Sequence, residues 1–205
     1  MTKAQIKHLG LADYQQTWEN MQEFTLNRTA DTPDEFWLLE HSPVFTLGLA
    51  GLESHILNKE HDIPIIRTDR GGQVTYHGPG QLIIYTLINL EQAKLSIREL
   101  VTRLELGIIK YLNSLGIEAN GDRNAPGVYV NNKKIASLGL KVKRGCTYHG
   151  ISFNIAMDTL PFNYINVCGY SGLKVVQLND LIPKMDDLNI IGNQLVQNLI
   201  ETIYG

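Results

Sequence analysis

Two cysteines, Cys146 and Cys168, are all that 205 residues contain. That is too few for a secreted disulfide framework, and no second Cys pair is present to complete a zinc ribbon. A reducing compartment follows, and the expected location is the cytoplasm. No apolar run approaches the ~20 residues that span a bilayer; the longest, residues 82–90, is interrupted by Thr86 and Asn89. The first ten residues alternate polar and apolar side chains and lack the continuous hydrophobic stretch of a secretory signal. Excess positive charge is missing too: 18 Lys plus Arg face 21 Asp plus Glu, a net charge of -3, which argues against nucleic-acid binding through broad phosphate neutralisation. With no linker, charge block or low-complexity tract, residues 1–205 read as one domain.

Apolar residues recur at spacings of three or four in three places, which predicts helices. Residues 11–26 carry Leu11, Tyr14, Trp18, Met21 and Phe24. Residues 97–115 carry Leu100, Leu104, Ile108 and Leu112, with Gly116 placed to cap the C-terminus. A third helix, over 188–203, is expected to lie exposed near the terminus. Short β-branched runs at 36–39, 44–47, 63–66, 82–88, 127–130, 135–140 and 151–155 predict strands. Because these runs do not alternate with helices, the expected class is α+β: a single domain with a mixed, largely antiparallel sheet flanked by helices. A doubly wound nucleotide fold is disfavoured.

The stretch from Arg70 to Gln81, RGGQVTYHGPGQ, sets four glycines among polar side chains just ahead of a buried strand. Such a loop lets backbone N–H groups approach a ligand closely, although a tight turn into the core has the same composition. It is neither a G-x-G-x-x-G fingerprint nor a P-loop, since no Lys-Ser or Lys-Thr follows. Thr147-Tyr148-His149-Gly150 repeats Thr75-Tyr76-His77-Gly78, which suggests two similar loops facing one pocket. A lone histidine is more often a hydrogen-bonded structural residue than a catalyst, so neither His77 nor His149 is assigned one role.

Cys146 and His149 show C-x-x-H spacing, but structural zinc wants four ligands and no second local pair exists, so no metal is expected. Cys168 lies in Asn166-Val167-Cys168-Gly169-Tyr170-Ser171-Gly172, where two glycines can expose the sulfur and supply N–H donors. A free cysteine is more often core filling than nucleophile, and taken alone Cys168 has the weaker claim to the second role. Lys133 and Lys134 follow Asn131-Asn132, as in a solvated hairpin turn, at the mouth of an apolar strand. Lys141, Lys143 and Arg144 extend that charge into a local basic edge suited to docking acidic protein domains.

Together these segments resemble the lipoyl(octanoyl) transferases of lipoate biosynthesis, within the wider group of lipoate and biotin protein ligases. Arg70 to Gln81 resembles the family's R-G-G-x-x-T-x-H-G-P-G-Q loop. Lys134 to Gly139 resembles its K-I-A-x-x-G segment, Thr147 to Asn154 its T-x-H-G-x-x-x-N segment, and Cys168-Gly169 its C-G site. All four stand in the family's order. Val167 stands where proline is common before the cysteine, and Tyr129 where tryptophan is frequent.

The resemblance implies transfer of an octanoyl group from octanoyl-acyl carrier protein to a lysine ε-amine. The acceptors it implies are the lipoyl domains of 2-oxoacid dehydrogenase complexes and the glycine cleavage H protein. Cys168 would carry the acyl thioester, and Lys134 would ionise it and shuttle protons. The acyl pocket would be lined by Arg70, Gly71, Gly72, Gln73, Val74, Thr75, Tyr76 and His77, by Ser137, Leu138 and Gly139, and by Gly150, Ile151 and Ser152. Thioester exchange followed by amide formation runs downhill without ATP or any other cofactor. Burying an eight-carbon chain supplies on the order of 5 kcal/mol, which favours medium-length acyl groups. Two rival readings remain at this level: an ATP-dependent lipoate or biotin ligase, and a non-catalytic acyl-binding protein.

Overall fold

The computed structural model describes residues 4–122 and 125–205; the first three residues of the N-terminal segment read above lie outside these. The chain runs β1 (Gln5–Ala12), α1 (Tyr14–Asn27), β2 (Glu35–His41), β3 (Val44–Leu47), β4 (Ile65–Arg67), β5 (Val74–His77), β6 (Gln81–Leu87), α2 (Leu90–Ala93), α3 (Ile97–Ser114), β7 (Asn120–Gly121), β8 (Gly127–Val130), β9 (Lys133–Lys143), β10 (Cys146–Asn154) and α4 (Leu188–Tyr204). Seven strands form one sheet in the order β1-β2-β6-β10-β9-β8-β7. Among the described residues only β1 and β2 pair parallel in it. A second sheet, β4-β3-β5, is mixed as well. The expected α+β class with a largely antiparallel sheet is the one observed.

Period-2 alternation explains how the large sheet is covered on both faces. Leu82 and Ile84 of β6 point to α3 and α4, joining Phe36, Leu104, Ile108, Phe153, Leu195 and Leu199. Ile83 and Tyr85 point the other way, to Met21, Trp37, Leu39 and Tyr148 beneath α1. A third cluster, with Phe45, Leu47, Tyr76, Phe162 and Val167, packs the small sheet against the segment that carries Cys168.

Local signals set most boundaries. Asp13 caps α1 by accepting from Gln16 N at 2.9 Å, so the helix starts at Tyr14 rather than residue 11. Ser96 and Glu99 form a capping box at the start of α3. Gly116, at φ 76°, follows its last turn as anticipated. Asn131 and Asn132, both left-handed, make the two-residue β8–β9 hairpin turn.

Four expectations are corrected. Residues 5–12, part of which the apolar spacing assigns to the first helix, form a strand paired parallel to β2. The strand predicted at 63–66 falls at Ile65–Arg67, where it pairs with β3. The last helix is not exposed: Ile191, Leu195, Val196 and Leu199 are buried against the sheet. Thr147-Tyr148-His149-Gly150 is not a loop before a strand but lies inside β10, which begins at Cys146 through pairing with β9.

Candidate active site

Cys168 sits on a tight turn, Val167–Gly169, beside the small sheet. Val167 anchors it: the valine is 2% exposed in the small-sheet core, and its carbonyl accepts from Tyr170 N at 3.0 Å. Gly169 N donates to Asn166 O at 2.8 Å. The turn is tight enough to put Cys168 itself at φ 54°. A non-glycine residue there costs roughly 1–2 kcal/mol, the kind of local strain that collects at functional sites. Valine in place of proline therefore still delivers the sulfur, half-exposed, into a cavity.

Lys134 reaches the same point from β9. Its backbone is clamped by the segment after the cysteine: Lys134 N donates to Lys174 O at 2.9 Å, and Val176 N donates to Lys134 O at 3.0 Å. Unlike Lys133, which is exposed, Lys134 is only 1% exposed, so the pair does not simply solvate a hairpin. Its Nζ donates to Cys168 Sγ at 3.1 Å and to Pro126 O at 3.2 Å, and stands 5.1 Å over the Tyr129 ring. Tyr129 thus packs the lysine as an aromatic floor. Gly127 leaves the passage open: at φ 151°, it lacks a Cβ that would come within 3.0 Å of Lys134 Cε and 2.6 Å of Ala136 O.

Burial alone pushes the Lys134 ammonium toward its neutral form. The negative charge and hydrogen bond of Cys168, then Tyr129, outweigh that, and the net shift is upward. At neutral pH the lysine is a buried cation whose partner is the sulfur.

The cavity beyond the sulfur has a volume of about 420 Å³, within the size class of small-ligand sites. Arg70, Gly71, Gly72, Gln73, Val74, Thr75, His77, Ser137, Leu138, Gly139, Gly150, Ile151 and Ser152 line it with Cys168 and Lys134. Tyr76 is the exception. Strand alternation in β5 turns its ring into the small-sheet core against Phe45 and Phe162, away from the cavity. Gly139 and Gly150 face one another across β9 and β10. A Cβ on Gly150 would stand 2.1 Å from Ile84 O, so only glycine allows β6 and β10 to approach there.

Arg70 explains the shape of the glycine loop. Arg70 is 8% exposed and, among the described residues, its guanidinium has no carboxylate partner; Nη2 donates to Thr46 O at 2.6 Å and Gln73 O at 2.9 Å, and Nη1 to Gly71 O at 2.9 Å. Residues 70–73 are curled around their own arginine. His149 of the repeated T-Y-H-G segment completes the wall, together with Tyr14 and Tyr85, which no local motif marked. His149 Nε2 lies 3.0 Å from Asp69 Oδ1, and Asp69 also accepts from Trp18 Nε1 at 2.9 Å and from the Tyr148 hydroxyl. His41 Nδ1 donates to Ala12 O at 2.8 Å, leaving Nε2 to accept from Tyr85 OH at 2.6 Å. His77 donates to Gln81 Oε1 at 2.7 Å, and burial holds its pKa down at about 3. The repeated T-Y-H-G segments do meet at one cavity, as strands, and their histidines are neutral members of its wall.

Pro126, Ala125, Ile83, Ile97 and Val101 also line the cavity. The Ala-Pro-Gly run signals a turn, but nothing in it signals an acceptor for a lysine eight residues later. Among the described residues, no group of three His, Cys, Asp or Glu side chains comes together to hold a metal ion.

A thiol touching a buried ammonium in the wall of a cavity, on this mixed-sheet scaffold, is the equipment of an acyl-transferring enzyme. The family model described as lipoyl protein ligase A/B catalytic domain matches residues 13–200, and the chain belongs to that family. It is 56% identical over 176 residues to the octanoyltransferase of Laribacter hongkongensis (strain HLHK9), covering 86% of this chain and 84% of the relative. It is 52% identical over 199 residues to the octanoyltransferase of Dechloromonas aromatica (strain RCB), covering 97% and 96%. In three dimensions it resembles lipoate-protein ligase A bound with ATP, at TM-score 0.80 and 14% identity over 98% of this chain and 85% of the other. The biotin protein ligase of Aquifex aeolicus superposes at TM-score 0.60, with 14% identity over 98% and 69%. At 14% identity these two establish the fold.

Proposed function

We propose that this enzyme moves an octanoyl group from octanoyl-acyl carrier protein to the ε-amine of a lysine on a lipoyl domain by way of a thioester on Cys168. Octanoyl transfer in protein lipoylation, an acyltransferase activity, follows from the octanoyltransferase relatives at 52–56% identity. The single observation that carries the thioester route is the 3.1 Å contact between Lys134 Nζ and Cys168 Sγ.

Cys168 and Lys134 carry the route. Cys168 sulfur attacks the donor thioester carbonyl, and Lys134 gives its proton to the departing carrier thiol. One thioester replaces another at little free-energy change. The acyl tail lies in the cavity, where six methylenes and a methyl contribute on the order of 5 kcal/mol. Lys134, now neutral, takes a proton from the attacking amine as the amide forms and Cys168 leaves. Backbone N–H groups of the glycine loop are available to the carbonyl oxygen.

The acceptors are the lipoyl domains of 2-oxoacid dehydrogenase complexes and the glycine cleavage H protein. Lys141, Lys143 and Arg144, on or just after β9, offer them and the acidic carrier a positive edge; Lys134, buried, does not belong to it. Two unpaired cysteines favour the cytoplasm, and among the described residues no helix is long and apolar enough to cross a membrane. The adenylating alternative is disfavoured, because the relatives at 52–56% identity are octanoyltransferases, whereas the solved ligases match at only 14% identity.

Intact-mass measurement tests the route. Incubation with octanoyl-carrier protein and no ATP adds one octanoyl group to the wild type and none to Cys168→Ala. Normal transfer by Cys168→Ala would refute it.

A further inference from the structure

Among the described residues, three side chains of the cavity wall keep a buried polar atom with no hydrogen-bond partner: Gln73 at Oε1, Thr75 at Oγ1 and His149 at Nδ1. Only the first of these touches the turn that carries the nucleophile. A Cβ placed on Gly169 would stand 3.0 Å from Gln73 Cγ and 3.2 Å from Gln73 Cδ, so the carboxamide lies directly against the residue that follows Cys168. Gln73 and Cys168 face the same cavity. Thr75 lies two residues on in β5, opposite Thr46, and His149 is paired with Leu140, about 20 Å along β9 from Lys134 at ~3.3 Å per residue. Both sides of the Gln73 contact are fixed. Arg70 Nη2 donates to Gln73 O at 2.9 Å and Gly48 N donates to the same oxygen at 3.3 Å. The cysteine turn is held in place by Asn166 N, which donates to His55 O at 2.8 Å.

We propose that the Gln73 side-chain amide donates a hydrogen bond to the acyl oxygen as the carbonyl turns tetrahedral, in both half-reactions. An octanoyl thioester carries one oxygen, and that oxygen only accepts. Of the two ends of the amide it can therefore meet only the NH₂, which half a turn of the terminal torsion brings to either side. When the Cys168 sulfur adds to the carbonyl carbon, the π pair moves onto the oxygen, and a donor already in place holds that charge without giving up its proton. Collapse returns the pair and expels the carrier sulfur, which takes the Lys134 proton. In the second step the lone pair of the neutral lysine amine forms the C–N bond and the charge builds again on the same oxygen. The C–S bond then breaks, and the amine proton passes to Lys134. Because Lys134 enters this step neutral, it has no charge to set against the oxyanion, and fixed dipoles must hold it. Gln73 supplies one of them beside the backbone N–H groups of the glycine loop, and is in this sense a catalytic residue.

The inference rests on the thioester reading above, and the test separates the two. Gln73→Met keeps the length of the side chain without a donor, and Gln73→Glu keeps its shape with a group that only accepts when ionised. Full-length wild type and both variants are acylated in single turnovers with octanoyl-carrier protein, then cleared with the lipoyl domain, and the adduct is followed by intact mass. In both variants, acylation at saturating donor and clearance should each slow by about 100-fold, while the half-saturating donor concentration stays within about twofold of the wild type. Gln73→Glu decides the matter if Gln73→Met does not fold. Wild-type rates in a folded variant overturn the assignment. A loss confined to acylation overturns it as well, because the amide would then hold the arm of the carrier, and so does a loss confined to clearance, because it would then seat the acceptor. A wild type that never acquires the adduct overturns the thioester reading beneath it.

Discussion

Lys134 Nζ donates to Cys168 Sγ at 3.1 Å although 34 positions separate the two residues. The contact exists because residues 174–176 run back along Lys134 and close a loop that ends on the cysteine turn. Replacing Lys134 with Ala leaves the sulfur without its cation and the first leaving group without a proton donor. We expect Lys134→Ala to lower kcat by about 10²–10⁴-fold, measured by transfer to a lipoyl domain, with folding retained. Lys134→Arg does not restore the rate, because a planar guanidinium cannot fill a seat shaped for one tetrahedral nitrogen.

Gly127 is expected to matter as much to chemistry as to folding. Gly127→Ala puts a methyl group 3.0 Å from Lys134 Cε and strains a backbone at φ 151°. Thermal melts should show a loss of about 1–3 kcal/mol. Acylation of Cys168 should slow by a larger factor than that of an equally destabilised variant remote from the cavity.

A contrast is offered by Asp34, which accepts from Arg28 Nη2 at 2.6 Å, Asn89 N at 2.8 Å and Tyr204 OH at 2.6 Å. The Arg28 and Asp34 side chains are 4% and 8% exposed. Asp34→Ala strands the guanidinium, and urea unfolding should show about 3–5 kcal/mol of lost stability. Neither residue lines the cavity, so kcat below the melting range should be that of the wild type.

Acid should unfold the protein through its neutral histidines. Burial brings His41 down to about 4 and His77 to about 3 from the ordinary 6.5. Between pH 6.5 and those values the unfolded chain binds protons that the folded chain refuses, so stability falls as pH falls. The loss is about 2 kcal/mol per histidine by pH 5. Urea midpoints measured from pH 7 to 5 should drop accordingly, and His41→Gln should reduce the slope by about one proton.

Lys141 and Lys143 share a face of β9, where alternate residues point the same way. If acidic domains dock there, Lys141→Glu combined with Lys143→Glu raises KM for carrier protein by about tenfold while kcat changes little. Added salt should raise the wild-type KM and flatten the difference between the two proteins. A KM indifferent to ionic strength would mean these charges only face solvent.

Much of this was legible in the chain as written. Spacings of three and four placed α3, Gly116 marked its end, and the largely apolar run at 82–88 announced β6. The residues that the family resemblance picked out lie, except for Tyr76, around one cavity, but Tyr14, Ile83, Tyr85, Ile97 and Val101 join it from elements that no motif marked. Period and composition are local properties, and the sequence by itself determined them.

What the chain could not state is which distant pieces meet. Residues 5–12 found a parallel partner in β2, and Tyr76 left the cavity because β5 alternates. Lys133 and Lys134 are equivalent on paper; pairing with residues 174–176 buries one and leaves its neighbour in water. The same is true of the Asp69–His149 contact and of His55 with Asn166, partners 80 and 111 positions apart. Such encounters are set by strand register and by long-range burial. Neither leaves a periodic trace in the residues themselves, and so the tertiary structure alone decided them.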